Sequence, residues 1–199
     1  FLVEAIRHVW RGIEQDSALP REEKGRRKLN YAKKEIRGVD FNPDVARVAK
    51  MHIMLYDGSP RSVFSANSLE TFDVLNEASE NAGADRMKPG SFDLVMTNPP
   101  FGTRGKITER RILREFDLAR RWIWKEHEKR WARTEDLLRG QIPEILFIER
   151  CLELLRVGGR MAIVLPDGEL NNYSTGYVRQ YMLEHARLIV VEGADPLVV

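Results

Sequence analysis

The sequence predicts an α/β domain built on a mostly parallel sheet. Short apolar, strand-like runs alternate with helical patterns along the whole chain, the pattern of crossover-connected strands. The runs are apolar enough to be covered on both faces, as parallel strands are. Polar or proline-rich residues directly follow four of these runs: Asp40, Asn67, Asn98-Pro99-Pro100-Phe101 and Pro166-Asp167-Gly168. In such sheets ligands sit at the carboxyl ends of strands.

FLVEAIRHVW opens the chain as a helix already in progress over 1–13, which reads as the continuation of an upstream sequence. Residues 14–34 are polar and basic and read as a connection. EIRGVD (35–40) is a strand ending in an acid. Asn42 is a suitable N-cap and Pro43 a suitable first-turn residue for the next helix, whose apolar face is expected to comprise Val45, Val48, Ala49, His52 and Leu55. Gly58 ends it. RSVFSA (61–66) is a second strand. Residues 68–90 read as a loop with a short helix, and FDLVMT (92–97) as a third strand. NPPFGTRG follows as a stiff loop. Residues 108–139 read as a charged helical insertion, about 104–140, with Trp122, Trp124 and Trp131 anchoring it to the domain. Ile142 to Leu155 form a helix with a broad apolar face, stopped by Gly158-Gly159. RMAIVLP (160–166) is a fourth strand, 174–185 a helix and ARLIVVEG (186–193) a fifth strand.

Composition narrows the class. The chain has 199 residues, 43% hydrophobic and 31% charged, enough for one domain with a real core. No apolar run approaches the ~20 residues of a membrane span, and a cytoplasmic location is expected. A single cysteine excludes a disulfide framework, and the four histidines show no metal-ligand spacing; no metal is expected. The net charge is +2, yet residues 21–37 carry eight basic residues against three acids and residues 104–139 twelve against seven. Two basic segments on an acidic body suit contact with a polyanion; a pair of solvated surface segments would look the same.

The strongest chemical signal is Asn98-Pro99-Pro100-Phe101 after an apolar strand. Two prolines fix φ twice and hold the residue before each extended. Asn98 then offers a side-chain carbonyl and amide, Pro99 a backbone carbonyl without a competing N–H, and Phe101 a flat apolar face. Two acceptors beside an aromatic ring suit a planar base with an exocyclic amino group. The structural alternative is a strand exit that turns sharply on prolines.

FDLVMTNPPF resembles the catalytic motif of amino-directed DNA methyltransferases that act on adenine N6. The wider pattern, GVDFNPDVARVAKMHIMLYDG, then FDLVMTNPPFG, then LLRVGGRMAIVLPDGELNN, resembles the modification (methylase) subunits of type I restriction–modification systems. The resemblance covers about two-thirds of the chain and leaves 14–34 and 106–140 unexplained. It implies a Rossmann-like methyltransferase fold dependent on S-adenosylmethionine, with residues 1–199 a single catalytic-domain fragment. It implies DNA as substrate, with separate specificity and restriction subunits as partners. Carried over by position, Asp40 would bind the cofactor's ribose hydroxyls, Phe41 would pack near its adenine and Asn67 would contact the adenine amino group. Phe1 matches the last residue of the family's glycine-rich cofactor loop. That loop and the first, central strand would then precede Phe1, leaving the strands ending at Asp40 and Thr97 to close up and pair directly or through another copy.

The implied chemistry is direct methyl transfer to an extruded adenine. Asn98 and Pro99 would hold the N6 hydrogens and Phe101 would stack on the base. Cys151 reads as a small core residue inside a helix, which argues against cytosine-C5 chemistry through a cysteine nucleophile. Two further readings are an amino-group methyltransferase acting on RNA or on protein glutamine, and a non-catalytic nucleic-acid-binding module.

Overall fold

A computed structural model describes residues 1–101 and 105–192, side chains of 169 and 170 excepted. The chain divides into two compact units, 1–87 and 88–199.

The first unit opens with helix α1 (Leu2–Gln15), then α2 (Arg21–Asn30), which runs into a single π-helical turn over Tyr31–Glu35. The expected polar connection at 14–34 is therefore mostly helical. α2 has no buried residue; its support is electrostatic, with Glu23 taking both Arg26 and Arg27 at 2.8 Å, an i,i+3 and an i,i+4 pair. Strand β1 (Gly38–Asp40) pairs in parallel with β2 (Val63–Ser65), in the register Gly38–Val63, Val39–Phe64, Asp40–Ser65. Between them lies α3 (Pro43–Met54), capped by the Asn42 side chain, which accepts the N–H groups of Asp44 and Val45. Helix α4 (Phe72–Asn81) follows β2. The core holds Ile6, Ala32, Ile36, Ala46, Ile53 and Val63.

α3 does not bury the expected face. Val45, Val48 and Leu55 are exposed, as is His52, while Ala46 and Ile53 are buried. The helix is turned by one residue, about 100°. The small side chains of Ala46 and Ala49 face the core, where they allow close approach, and Ile53 fills the end of the helix.

The second unit contains β3 (Phe92–Thr97), paired in parallel with β6 (Leu155–Ile163). β3 is not covered on both faces: Asp93 and Leu94 are exposed. After β3 come the one-turn helix α5 (Arg110–Leu113) and a 3-10 turn over Asp117–Ala119. Then β4 (Arg120–Lys125) and β5 (Arg130–Leu137) form an antiparallel hairpin. The charged insertion at 104–140 is thus chiefly β, not helical. Trp, Ile and Trp at 122–124 favour a pleated surface, and Lys129 takes a positive φ of 50° at the turn.

α6 (Pro143–Leu154) ends without help from glycine. Gly158-Gly159 lies within β6, where the register shifts between Phe92 and Leu94 of the partner strand. Gly158 has φ 79°, and a Cβ on Gly159 would stand 3.0 Å from the Phe92 carbonyl. The pair therefore forms a strand irregularity, not a helix stop. α7 (Asp167–Asn171), a 3-10 turn over Tyr173–Thr175 and α8 (Gly176–His185) complete the unit. Residues 186–192 form no strand; the fifth strand is absent from the described residues, although Leu188, Ile189 and Val190 are apolar and exposed. The core joins Leu118, Ile145, Ile148, Val178 and Tyr181.

Among the described residues β1 pairs only with β2 and β3 only with β6. Direct pairing of the strands ending at Asp40 and Thr97 does not occur. No helix of the described residues is long and apolar enough to cross a membrane.

Candidate active site

In the first unit, β1 and β2 end side by side. The N–H of Ala66 donates to the Asp40 carbonyl at 3.0 Å, continuing the ladder one step past the strands. Asp40 and Asn67 therefore emerge at the same carboxyl end of a parallel pair. One carboxylate oxygen of Asp40 accepts the N–H of Asn42 at 2.8 Å. Its other oxygen takes no hydrogen bond from a described residue, so the half-buried carboxylate can still accept from a ligand hydroxyl. Phe41 is 72% exposed, and its carbonyl accepts the Ser65 hydroxyl at 3.3 Å. The exposed ring is thus carried on backbone that is tied across to β2.

Asn67 is partly committed. Its side-chain oxygen accepts the N–H of Leu69 at 3.1 Å, and its carbonyl accepts that of Glu70 at 3.0 Å. The local turn fixes the side chain and leaves its NH2 as the readier group, a donor where an amino-group contact calls for an acceptor. Phe1 belongs to another element: it precedes α1, its carbonyl accepts the N–H of Ala5 at 2.9 Å, and its ring is 66% exposed.

In the second unit, Asn98-Pro99-Pro100-Phe101 leaves β3 beside the end of β6. Thr97 stands opposite Ile163, and the N–H of Val164 donates to the Thr97 carbonyl at 3.2 Å. The two exits therefore run together from one end of the pair, where Pro166 and Asp167 also lie. Pro99 is buried while Asn98 and Pro100 are exposed. The loop is pinned at its centre and presents Asn98 outward. The Asn98 amide makes no hydrogen bond with a described residue, and its side chain carries both a donor and an acceptor. Phe101 follows with its ring 39% exposed. An exposed amide, a neighbouring proline carbonyl and an aromatic face can together hold an amino-bearing planar ring.

α6 also holds a group of charged residues that periodicity in the sequence does not mark. Glu149 in α6 is buried and accepts the N–H groups of Asp117 and Leu118, both at 2.8 Å. It caps the turn that leads into the hairpin. Burial pushes its carboxyl up, and the two N–H bonds work against that shift. Arg150, also buried, pairs with Glu153 at 3.0 Å and lies 4.9 Å over the Phe116 ring. Burial lowers the Arg150 pKa and pushes Glu153 up to about 7. The signal available in the sequence is the set of charged residues Glu144, Glu149, Arg150 and Glu153 within a helix whose other residues are mostly apolar. Cys151 is buried in the same helix with its thiol pushed up to about 12 by burial, unsuited to a nucleophile. Among the described residues no group of three or more His, Cys, Asp and Glu could hold a metal.

A family model for the Eco57I restriction-modification methylase matches residues 34–192, a span that includes Asp40, Asn67 and the whole Asn98–Phe101 loop. No curated protein matches the chain. With four-fifths of its length matched, from the π-helical turn before β1 to the segment beyond α8, the chain belongs to the Eco57I restriction-modification methylase family.

Proposed function

We propose that the protein transfers a methyl group from S-adenosylmethionine to adenine N6 in DNA, as the modification activity of a restriction–modification system. The observation that carries this reading is Asn98: an exposed amide at the carboxyl end of β3, without a hydrogen bond to any described residue and next to the buried Pro99. The parallel pairs β1–β2 and β3–β6, each with a candidate ligand loop at its carboxyl end, support a Rossmann-like fold. On this reading residues 1–199 belong to one catalytic domain. Its resemblance to type I modification subunits points to separate specificity and restriction subunits in the cytoplasm.

The residues fit the cofactor in one respect and strain it in another. The free oxygen of Asp40 suits a ribose hydroxyl, and the exposed Phe41 ring suits an adenine face; the engaged oxygen of Asn67 suits an amino group less well. Bound S-adenosylmethionine would supply an electrophilic methyl group. On the substrate side, the Asn98 side-chain oxygen and the Pro99 carbonyl accept the two N6 hydrogens. That turns the nitrogen lone pair out of conjugation and toward its target. Phe101 stacks on the extruded base. Positioning replaces a bimolecular encounter and supplies much of the rate.

The test is methyl transfer by the full-length protein to adenine-containing duplex DNA, with RNA as the alternative acceptor and N6-methyladenine read by mass spectrometry of nucleosides. Asn98→Ala should abolish transfer and leave cofactor affinity nearly unchanged. Wild-type turnover by that variant would overturn the assignment.

A further inference from the structure

We propose that the outer face of the β4–β5 hairpin is a docking surface for the sugar–phosphate backbone of duplex DNA. The proposal rests on the DNA-methylating reading above and adds to it the element that grips the duplex.

The hairpin has two unlike faces. Trp122, Trp124 and Trp131 share one, through the pairing Trp124–Trp131 and the alternation of β4. Trp122 stacks on Tyr177 at 5.9 Å between ring centres, and Trp131 meets Tyr173 at 6.2 Å and Tyr177 at 6.1 Å. Gln180 of α8 bonds both backbone groups of Trp131, accepting its N–H at 2.7 Å and donating to its carbonyl at 2.9 Å. One face and one edge of the hairpin are therefore held by α8. Trp122 and Trp131 are anchors, and Trp124 lies against Trp131 at 5.7 Å between ring centres with 38% of its surface exposed.

The opposite face carries Ile123 and Lys125 on β4, with Ala132 and Arg130 across from them, and Arg121 stands at the register irregularity just before Trp122. Arg121 and Lys125 are exposed and form no ion pair with a described residue. Arg130 reaches Glu184 only at 3.5 Å and keeps more than half its side-chain surface in solvent. Of the acids of the hairpin, Glu126 pairs with Lys129 and Glu135 with Arg120 and Arg133, while Glu128 and Asp136 pair with no described cation. The ribbon thus carries Arg121 and Lys125 without an acidic partner among the described residues, and Arg130 held at its edge by Glu184 alone. Arg121 and Lys125 are about 14 Å apart along β4 at about 3.4 Å per residue, a span that reaches more than one phosphate of a DNA strand. The apolar strip of Ile123 and Ala132 between them can lie against deoxyribose. Phosphate contacts of this kind position a protein without reading sequence.

The other basic segment is a different case. On α2, Arg26 and Arg27 are both taken by Glu23, and Lys28 by Glu14. Arg21, Lys33 and Lys34 of that segment pair with no described acid, so Arg26, Arg27 and Lys28 alone serve as the paired comparison.

The experiment compares two triple variants of the full-length protein, each losing three charges: Arg121→Gln, Lys125→Gln, Arg130→Gln on the hairpin, and Arg26→Gln, Arg27→Gln, Lys28→Gln on α2. Binding of a fluorescent duplex is followed by anisotropy between about 50 and 200 mM salt. The hairpin variant should lower the slope of log affinity against log salt by about 2–3, with tryptophan fluorescence unchanged to show the hairpin intact. The α2 variant should lower it by less than about 1. An unchanged slope for the hairpin variant, or equal losses for both, overturns the proposal. If that happens while adenine methylation persists, the methyltransferase reading stands. If the slope falls as expected and the wild type methylates no adenine, the hairpin assignment stands and that reading fails.

Discussion

The Asp40 carboxylate accepts the backbone N–H of Asn42 at 2.8 Å, and the Asn42 side chain in turn accepts the N–H of Asp44 at 2.9 Å. The same short relay that turns the chain out of β1 caps α3, and it costs Asp40 one of its two oxygens. The carboxylate is thereby held at the strand end with the other oxygen outward.

This arrangement separates charge from turn geometry. Asp40→Asn keeps an oxygen for the Asn42 N–H and loses the charge-assisted acceptor, an interaction of about 1.5–3 kcal/mol. Affinity for S-adenosylmethionine, measured by calorimetric titration of the full-length protein, should fall by roughly ten- to a hundredfold, while the urea midpoint hardly moves. Equal affinities would remove Asp40 from the cofactor set.

Phe101 bears on the target base instead. Phe101→Ala should weaken binding of an extruded base by about 1–3 kcal/mol, the loss of one stacking face, and Phe101→Tyr should restore it. A duplex carrying 2-aminopurine at the target position reports this directly, since its fluorescence rises when the base leaves the stack. An undiminished signal with the alanine variant would assign the ring to packing.

Where the sequence is legible, local chemistry decides the outcome. Asn42-Pro43 is a cap wherever the chain goes, and FDLVMT forms β3 over the expected six residues. The positions of Asp40, Asn67 and Asn98 at strand ends follow from such local rules. Tertiary context decides the rest. Trp122, Trp124 and Trp131 among charged residues look like helix anchors, yet Trp122-Ile123-Trp124 alternates as a strand does, with Trp122 against Tyr177 of α8, Trp124 against Trp131 and Ile123 outward. The apolar run 186–192 has strand composition but no strand partner among the described residues. The engagement of Asn67 with Leu69 depends on a turn that residue type alone does not specify.

The packing of the hairpin on α8 gives a third prediction. A Cβ on Gly176 would stand 2.8 Å from the indole nitrogen of Trp131. That indole is hemmed in by Trp124, Tyr173 and Tyr177 and cannot swing aside freely. Alanine at a first helical position ordinarily favours a helix, by up to ~1 kcal/mol over glycine. Here overpacking should outweigh that gain, and Gly176→Ala should destabilise by about 1–3 kcal/mol, with an altered tryptophan emission spectrum. A rise in the denaturation midpoint would show that the indole yields.

Glu153 supplies a pH dependence whose sign can be worked out. Burial raises its carboxyl from 4.5 to about 7, against the opposing pull of Arg150; Glu149, Glu115 and Asp117 add to the rise. The folded state therefore holds a proton on Glu153 that the unfolded chain releases near pH 4.5. Between about pH 4.5 and 7 the folded form binds more protons, so this group's contribution to stability is fully present below that window and is lost as pH rises through it. Glu153→Gln mimics the protonated carboxyl and cannot ionise. Below pH 4.5 the variant and the wild type should melt at similar temperatures. From pH 5 to 8 the melting temperature of the variant should rise relative to the wild type, because only the wild type must then bury an anion or unfold to expose it. Thermal melts at half-unit pH intervals give the difference curve. A difference that runs the other way, with the wild type gaining on the variant above pH 7, would mean that the ion pair with Arg150 outweighs the burial of Glu153.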